Sequence, residues 1–166
     1  RKKNILINYP LPDLKNKNLE KKFNHEFSKY VKIKLNEMKI GNKYNIIIKR
    51  KPNHNIKNIF NLIKIMKKDG FNNKIIFFEK IYKTDLIVDF FIEKINPKIL
   101  FTNLNSSVIV FNDLYPNRKV ILTDMFVVNF IDNNSKYFSN YKDELLIFNQ
   151  YKKNLNYFFR LSPNLN

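Results

Sequence analysis

Four short, continuous apolar runs constrain the fold of this chain more than any other feature. They are KIIFFE at 74–79, KILFTN at 98–103, KVILTD at 119–124 and ELLIFN at 144–149. Each run has the length of a β-strand, and continuous apolar residues are typical of strands buried on both faces of a parallel sheet. We therefore predict an α/β protein with a three-layer, mostly parallel sheet of the Rossmann-like kind.

The connections between these runs fit the same architecture. DLIVDFFIEKI at 85–95 has the length of a helix, Thr84 is a possible N-cap, and Asn96-Pro97 ends the segment before the next strand. Strand, helix and strand at this spacing form a βαβ unit. SSVIVFNDLYP at 106–116 is ambiguous, because its β-branched residues favour a strand and its position favours a short crossover helix.

The first 17 residues are predicted to form an extended basic arm, because Pro10 and Pro12 prevent a regular helix there. A helix should follow from Asn18, a plausible N-cap, to about Met38. Apolar residues recur on one face of that helix at spacings of three and four. They are Leu19, Phe23, Phe27, Tyr30, Val31, Leu35 and Met38.

A second amphipathic helix is expected after residue 55. Its apolar stripe is Ile56, Ile59, Phe60, Ile63 and Met66, and Gly70 is a suitable C-terminal stop. We therefore divide the chain into an extended basic arm at 1–17, an N-terminal helix with a basic loop at 18–52, and an α/β globular core at 53–166.

The small numbers of glycine and histidine, and the absence of cysteine, exclude several kinds of site. A dinucleotide fingerprint needs glycines where the backbone approaches pyrophosphate, but Gly41 and Gly70 are the only glycines and neither follows a predicted core strand. The sheet is therefore predicted not to bind a nucleotide, and no cofactor is expected. His25 and His54 lie on different segments and cysteine is absent, so we expect no metal site.

No catalytic constellation can be assembled from the sequence. Thr123-Asp124 ends a predicted strand, where α/β enzymes place catalytic groups, although a cap for the next helix is the preferred interpretation. Ser106-Ser107 has no histidine in a readable motif. We therefore predict no catalytic residues and no enzymatic activity.

The charge of the chain points to a polyanionic partner. Lys and Arg total 31 against 14 acids, a net charge of +17, and a polyanion would relieve this self-repulsion. Lys, Asn, Ile and Phe dominate while Ala, Cys and Trp are absent, as in a protein from a very AT-rich organellar genome. Nucleic acid is the first expectation and an anionic membrane surface the second. No apolar run approaches the length of a membrane span, so no membrane insertion is expected.

The basic clusters give the candidate RNA-binding residues. In NIIIKRKPNHNIK at 45–57, the isoleucines would hold the segment to the core and the following cations would leave it for RNA. Contacts of this kind to phosphates position a protein without reading base sequence, which suits a structural RNA. The predicted RNA-binding residues are Arg1, Lys2, Lys3, Lys43, Tyr44, Lys49, Arg50, Lys51, His54, Lys57, Lys64, Lys67 and Lys68.

The second half of the chain resembles a known family. NKIIFFEKIYKTDLIVDFFIEKINPKILF at 73–101 resembles the universal large-subunit ribosomal protein L-four family, with Lys83-Thr84 at the Lys-Thr pair that leads from a strand into a helix. Three further segments follow that family's order and spacing: 115–132, 144–155 and, upstream, 53–71. The resemblance implies a structural constituent of an organellar large ribosomal subunit, in a plastid or apicoplast-like compartment or in a mitochondrion. Its partners would be ribosomal RNA and neighbouring ribosomal proteins, with no small-molecule substrate.

The chain also departs from the family. Members carry a long Gly- and Arg-rich loop that helps to line the exit tunnel, and only residues 41–55 stand in its place here. Val127 and Phe130 occupy positions where the family has Asn and Asp. The resemblance therefore implies anchoring on RNA rather than lining of the tunnel. A small-subunit ribosomal protein of the S-two type and a non-catalytic scaffold subunit of an organellar membrane complex are the alternatives.

Overall fold

A single parallel sheet organises the molecule. The computed structural model describes residues 3–11, 14, 16–51, 55–84, 86–137 and 153. Within these residues, five strands lie in the order β3-β2-β1-β4-β5, and all neighbouring pairs are parallel. They are β1 Lys3–Asn8, β2 Tyr44–Lys49, β3 Ile75–Phe77, β4 Pro97–Thr102 and β5 Lys119–Leu122. The predicted fold class is confirmed, and the run at 144–149 lies outside the described residues.

Helices cover both faces of the sheet. The α-helices are α1 Lys17–Glu37, α2 Ile56–Lys68, α3 Phe78–Tyr82, α4 Ile92–Ile95, α5 Ser106–Leu114 and α6 Asp124–Asn133, and 3-10 turns span Val88–Phe91 and Ser135–Tyr137. In β1, Ile5 and Ile7 pack in one core with α1, α2 and α6, while Leu6 packs in a second core with α3, α4 and α5. Successive side chains of a strand point to opposite faces, so a strand between two helical layers must be apolar at every position.

β1 corrects the predicted N-terminal arm. Residues 3–8 are not an arm: they form the central strand, paired with β2 on one side and β4 on the other. Ile5, Leu6 and Ile7 have no exposed surface, because both faces and both edges of the strand are covered. Pro10 follows the strand and does not interrupt it. The division into arm, N-terminal part and core does not hold either, since β1 and β2 share one sheet with β3 to β5.

The two long predicted helices are confirmed. α1 begins two residues earlier than predicted: its N-cap is Asn16, whose side-chain oxygen accepts hydrogen bonds from the backbone N–H groups of Asn18 and Leu19 at 2.9 and 3.2 Å. α2 spans Ile56–Lys68 and buries Ile59, Leu62, Ile65 and Met66. α1 follows its predicted apolar stripe, because that stripe is the face that packs in the core. The stripe predicted for α2 is only partly right: Ile56 and Phe60 are 41% and 45% exposed, and Leu62 and Ile65 are buried instead.

The segments that connect β3 to β4 and β4 to β5 can be compared with the helices predicted there. The expected helix at 85–95 is a 3-10 turn at Val88–Phe91 followed by the one-turn α4, which ends where Asn96 adopts a left-handed φ of 50°. Thr84 is not the predicted N-cap: its hydroxyl accepts a hydrogen bond from the N–H of Leu86 at 3.1 Å, but the residue before the 3-10 turn is Ile87, which makes no side-chain capping bond. The ambiguous segment at 106–116 contains the crossover helix α5.

Removing a buried side chain from β1 should destabilise the whole domain. Ile7→Ala is expected to lower the free energy of unfolding by about 2–5 kcal/mol, because it opens a cavity in a fully buried strand. Ile33→Ala is the matched control, since Ile33 is 55% exposed on α1 and should change stability by less than about 0.5 kcal/mol. Urea denaturation measures both. Equal small effects would contradict the central position of β1.

Candidate functional site: the crevice at the carboxyl edge

The order of the strands creates a switch point between β1 and β4. The connections that start from β1 and β2 cross one face of the sheet through α1 and α2. The connections that start from β3 and β4 cross the other face through α3, α4 and α5. The chain therefore leaves the carboxyl ends of β1 and β4 in opposite directions, which opens a crevice there. In open α/β sheets, ligands bind in this position.

A cavity of about 140 Å³ occupies the crevice. Four parts of the chain line it. They are residues 8–10 at the end of β1, residues 49–51 at the end of β2, the pair Ile87 and Val88, and the connection between β4 and α5. That connection contributes Asn103, Asn105, Ser106 and Ser107. Polar side chains from distant segments thus meet at one edge of the sheet.

A buried ion pair holds one wall of the crevice. The ammonium of Lys49 donates a hydrogen bond to Glu79 Oε1 at 2.7 Å, and the two side chains are only 4% and 9% exposed. The same ammonium lies 5.3 Å from the centre of the Phe78 ring, a favourable cation–π position. The Nε of Arg50 lies 3.6 Å from the same carboxylate oxygen. Glu79, in the first turn of α3, therefore pairs with Lys49, the last residue of β2, and lies close to Arg50, the next residue.

Lys51 extends this row of cations to the mouth of the crevice, where its side chain is exposed. The pKa of Lys51 is lowered, because neighbouring protein atoms partly desolvate its ammonium, and the carboxylate of Asp124 opposes part of that shift. On the opposite side, burial raises the pKa of the Tyr9 hydroxyl well above its usual value. Tyr9 therefore stays neutral at physiological pH, and its hydroxyl donates a hydrogen bond to Asn24.

The other wall is the amino end of α5. Asn105 is its N-cap, and the side-chain oxygen of Asn105 accepts a hydrogen bond from the N–H of Ser107 at 3.0 Å. The hydroxyl of Ser106 donates to Asp89 Oδ2 at 2.5 Å, and the hydroxyl of Ser107 donates to Asp89 Oδ1. Asn8 donates from Nδ2 to the Ser107 oxygen at 3.2 Å. Side chains after β1 and β4 are therefore joined directly across the switch point.

Thr123 and Asp124 form hydrogen bonds to the loop that leads from β4 into this wall. Asp124 is fully buried, and its Oδ2 accepts a hydrogen bond from the N–H of Leu104 at 2.8 Å. The hydroxyl of Thr123 donates to Asn103 Oδ1 at 2.6 Å. Thr123 occupies the N-cap position of α6, as the preferred interpretation expected, but its side chain makes no capping hydrogen bond. Their observed role is to fix the loop between β4 and α5.

The structure distributes the predicted RNA-binding residues over two edges of the sheet. Lys49, Arg50 and Lys51 follow β2 at the carboxyl edge, whereas Lys3 and Lys43 lie at the amino ends of β1 and β2. On α2 the exposed lysines are Lys57 at the start and Lys64, Lys67 and Lys68 towards the end; Tyr44 is half-buried, and its ring lies 5.7 Å from the Lys3 ammonium. Arg1, Lys2 and His54 lie outside the described residues.

Lys49 in particular does not leave the core for RNA. Its side chain turns into the protein and meets Glu79, because Lys49 is the last residue of β2 and Glu79 follows the neighbouring strand β3. Burial of a charge in this way requires a partner, and Glu79 supplies it. Lys49 is thus part of the crevice, and the expectation that it reaches outward from the core is wrong.

Asn8 and Asp89 are not among the site residues predicted from the sequence, and Ser106 and Ser107 were considered only as catalytic candidates and discounted. A signal for the serines was present: a buried strand, then Asn105 as an N-cap, then two hydroxyl side chains. Asn8 could have been found only by recognising β1 as a strand. Asp89 gave no signal, because its contact with α5 depends on how the connection after β3 folds back.

No protein-family model matches this chain, and no curated protein matches it either. Within the described ranges, no helix is long and apolar enough to cross a membrane. Among the same residues, no group of three or more histidine, aspartate and glutamate side chains is placed to hold a metal ion. The crevice must therefore be interpreted from its own chemistry.

Neutralising Glu79 should destabilise the crevice wall strongly. Glu79→Gln leaves Lys49 buried without its charge partner, and loss of one member of a buried pair costs about 3 kcal/mol or more. Glu37→Gln is the matched control, because Glu37 pairs with Lys34 at a similar distance, 2.9 Å, on the exposed side of α1. The control should cost less than about 0.5 kcal/mol in urea unfolding. Similar costs for the two variants would contradict the structural role of the Lys49–Glu79 pair.

Proposed function

We propose that this domain binds a small phosphate-bearing ligand in the crevice between β1 and β4. The observation that carries the proposal is the cavity at the switch point, with the cations after β2 on one wall and the amino end of α5 on the other. Cationic side chains and the N-terminus of a helix both stabilise phosphate, and at this place in the sheet they converge.

The size of the cavity suggests how such a ligand would lie. A cavity of about 140 Å³ is smaller than the roughly 300–1,000 Å³ of a pocket that encloses a drug-sized molecule. The cavity is therefore suited to an anionic group, and the rest of the ligand would extend to the mouth. Ile87, which is 54% exposed, and Val88 offer apolar contact there.

A nucleotide combines these properties, since it joins a phosphate to a flat, partly apolar base. Asn103 and Asn105 line the same cavity; their side-chain oxygens accept hydrogen bonds from Thr123 and Ser107, and their NH₂ groups can donate to such a ligand. The missing glycine-rich turn argues against a dinucleotide that lies along the connection after β1. It does not argue against a mononucleotide at α5, where the helix begins with two serines. The prediction that the chain is not an enzyme stays a prediction.

Removing the cation at the mouth should weaken binding. Isothermal titration of the domain with nucleoside 5′-monophosphates and with inorganic phosphate tests the proposal directly. Lys51→Ala is expected to lower the affinity of the best of these ligands about tenfold, because one charge-assisted contact is worth about 1.5 kcal/mol. Lys64→Ala, on the exposed side of α2, is the control and should leave the affinity unchanged. Absence of binding by the wild-type protein to every probe would refute the proposal.

Binding of ribosomal RNA is a second proposal, and it has its own support. The net charge of +17 is unusual, and α2 presents Lys57, Lys64, Lys67 and Lys68 to solvent. Together with the family resemblance, these features favour contacts to RNA phosphates by α2 rather than by the crevice. Membership of an organellar large ribosomal subunit, the S-two alternative and the scaffold alternative all stay predictions.

The salt dependence of RNA binding tests this second proposal. Replacement of the four α2 lysines by Gln should reduce the slope of log affinity against log salt by about 3.6, because each phosphate contact contributes about 0.9. A control variant replaces four other exposed lysines, Lys17, Lys21, Lys29 and Lys39, and carries the same charge change. Filter binding to a fragment of ribosomal RNA between 50 and 200 mM salt measures both variants. Equal losses in the two variants would show that α2 is not a specific contact surface.

A further inference from the structure

Asp89 places a carboxylate of the protein itself at the amino end of α5. Both of its oxygens accept hydrogen bonds from serine hydroxyls, Oδ2 from Ser106 and Oδ1 from Ser107. Ser106 and Ser107 also line the cavity between β1 and β4. Asp89 therefore already accepts the two hydroxyl protons on this wall that a phosphate in the cavity would otherwise accept.

The hydroxyl of Ser107 acts both as a donor and as an acceptor of hydrogen bonds within the protein. It donates to Asp89, and its oxygen accepts a hydrogen bond from Asn8 Nδ2 at 3.2 Å. A hydroxyl has one proton to donate, so it cannot donate to Asp89 and to a ligand at the same time. A phosphate must either take these protons from Asp89 or bind beside a negative charge.

We propose that Asp89 is a specificity-determining residue, which makes the crevice select against ligands with high negative charge. This inference rests on the proposed binding of a phosphate-bearing ligand. The carboxylate competes with phosphate for the two serine hydroxyls and repels each additional charge on the ligand. Wild-type protein therefore prefers a singly esterified phosphate, as in a nucleoside monophosphate, to a pyrophosphate.

The position of Asp89 allows it to act without forming the core. It lies half-buried on the 3-10 turn Val88–Phe91, and its neighbour Phe90 is 76% exposed. A purely structural role, in which Asp89 only ties this turn to α5, would predict a loss of stability on substitution. It would predict no dependence of ligand affinity on ligand charge.

The test is Asp89→Asn, which keeps the shape of the side chain and removes its charge. Affinities for inorganic phosphate and for pyrophosphate are measured by isothermal titration against wild type. We expect phosphate to bind about tenfold more tightly to the variant, the effect of removing one like charge at close range, and pyrophosphate to gain more than phosphate. Asp113→Asn, an exposed change near the carboxyl end of α5, should alter neither affinity. Asp89→Ser, which also removes the charge, should change both affinities in the same direction as Asp89→Asn.

The outcomes separate this inference from the proposed function. If wild type binds phosphate and Lys51→Ala weakens binding, but neither Asp89 variant tightens it, the crevice is a phosphate site and the role of Asp89 is refuted. If Asp89→Asn binds and wild type binds no probe, the proposed function is refuted, and with it the role of Asp89 in selecting among ligands of the native crevice. If no variant binds any probe while all remain folded, both proposals fall. Equal gains for phosphate and pyrophosphate would overturn the selection by charge.

Discussion

The burial of β1 on all sides is the constraint on which the rest of the structure depends. A strand in the middle of a parallel sheet must satisfy its backbone on two edges and bury its side chains on two faces. Pairing with β2 and β4 satisfies the backbone of β1 on both edges. Its side chains Ile5, Leu6 and Ile7 are fully buried between the two helical layers. The chain leaves the carboxyl end of β1 towards β2 and that of its neighbour β4 towards β5, so the crevice opens between these two strands.

Periodicity predicted the parts of this fold that repeat a regular pattern over many residues. α1 and α2 each carry a long apolar stripe, and the strands β3, β4 and β5 coincide with continuous apolar runs. β1 was not predicted as a strand because its apolar part is short, begins beside cations and is followed by prolines. α5 could not be assigned from its composition, since β-branched residues that are common in strands also fit a crossover helix packed on a sheet.

The crevice could be predicted only in part, because its walls meet through topology rather than through sequence. Asn8 and Ser107 are 99 residues apart and are joined by a hydrogen bond at the switch point. The cluster of cations after β2 was visible in the sequence, but its partner was not: Glu79 lies next to Lys49 because β3 lies next to β2. The number of charges therefore predicted a polyanionic partner, whereas the direction in which Lys49 points depended on the fold.

The pairing of β1 with β4 also has a consequence for how the chain folds. Ile5 is opposite Ile99, and Ile7 is opposite Phe101, so the middle of the sheet requires contacts between residues more than 90 positions apart. Such contacts close a long loop and are slow to form compared with helices or neighbouring strands. During synthesis β1 must wait until β4 has been made, with one of its edges uncovered. The crevice, which needs both strands, is therefore among the last features to assemble, and an occupied crevice would report a completely folded domain.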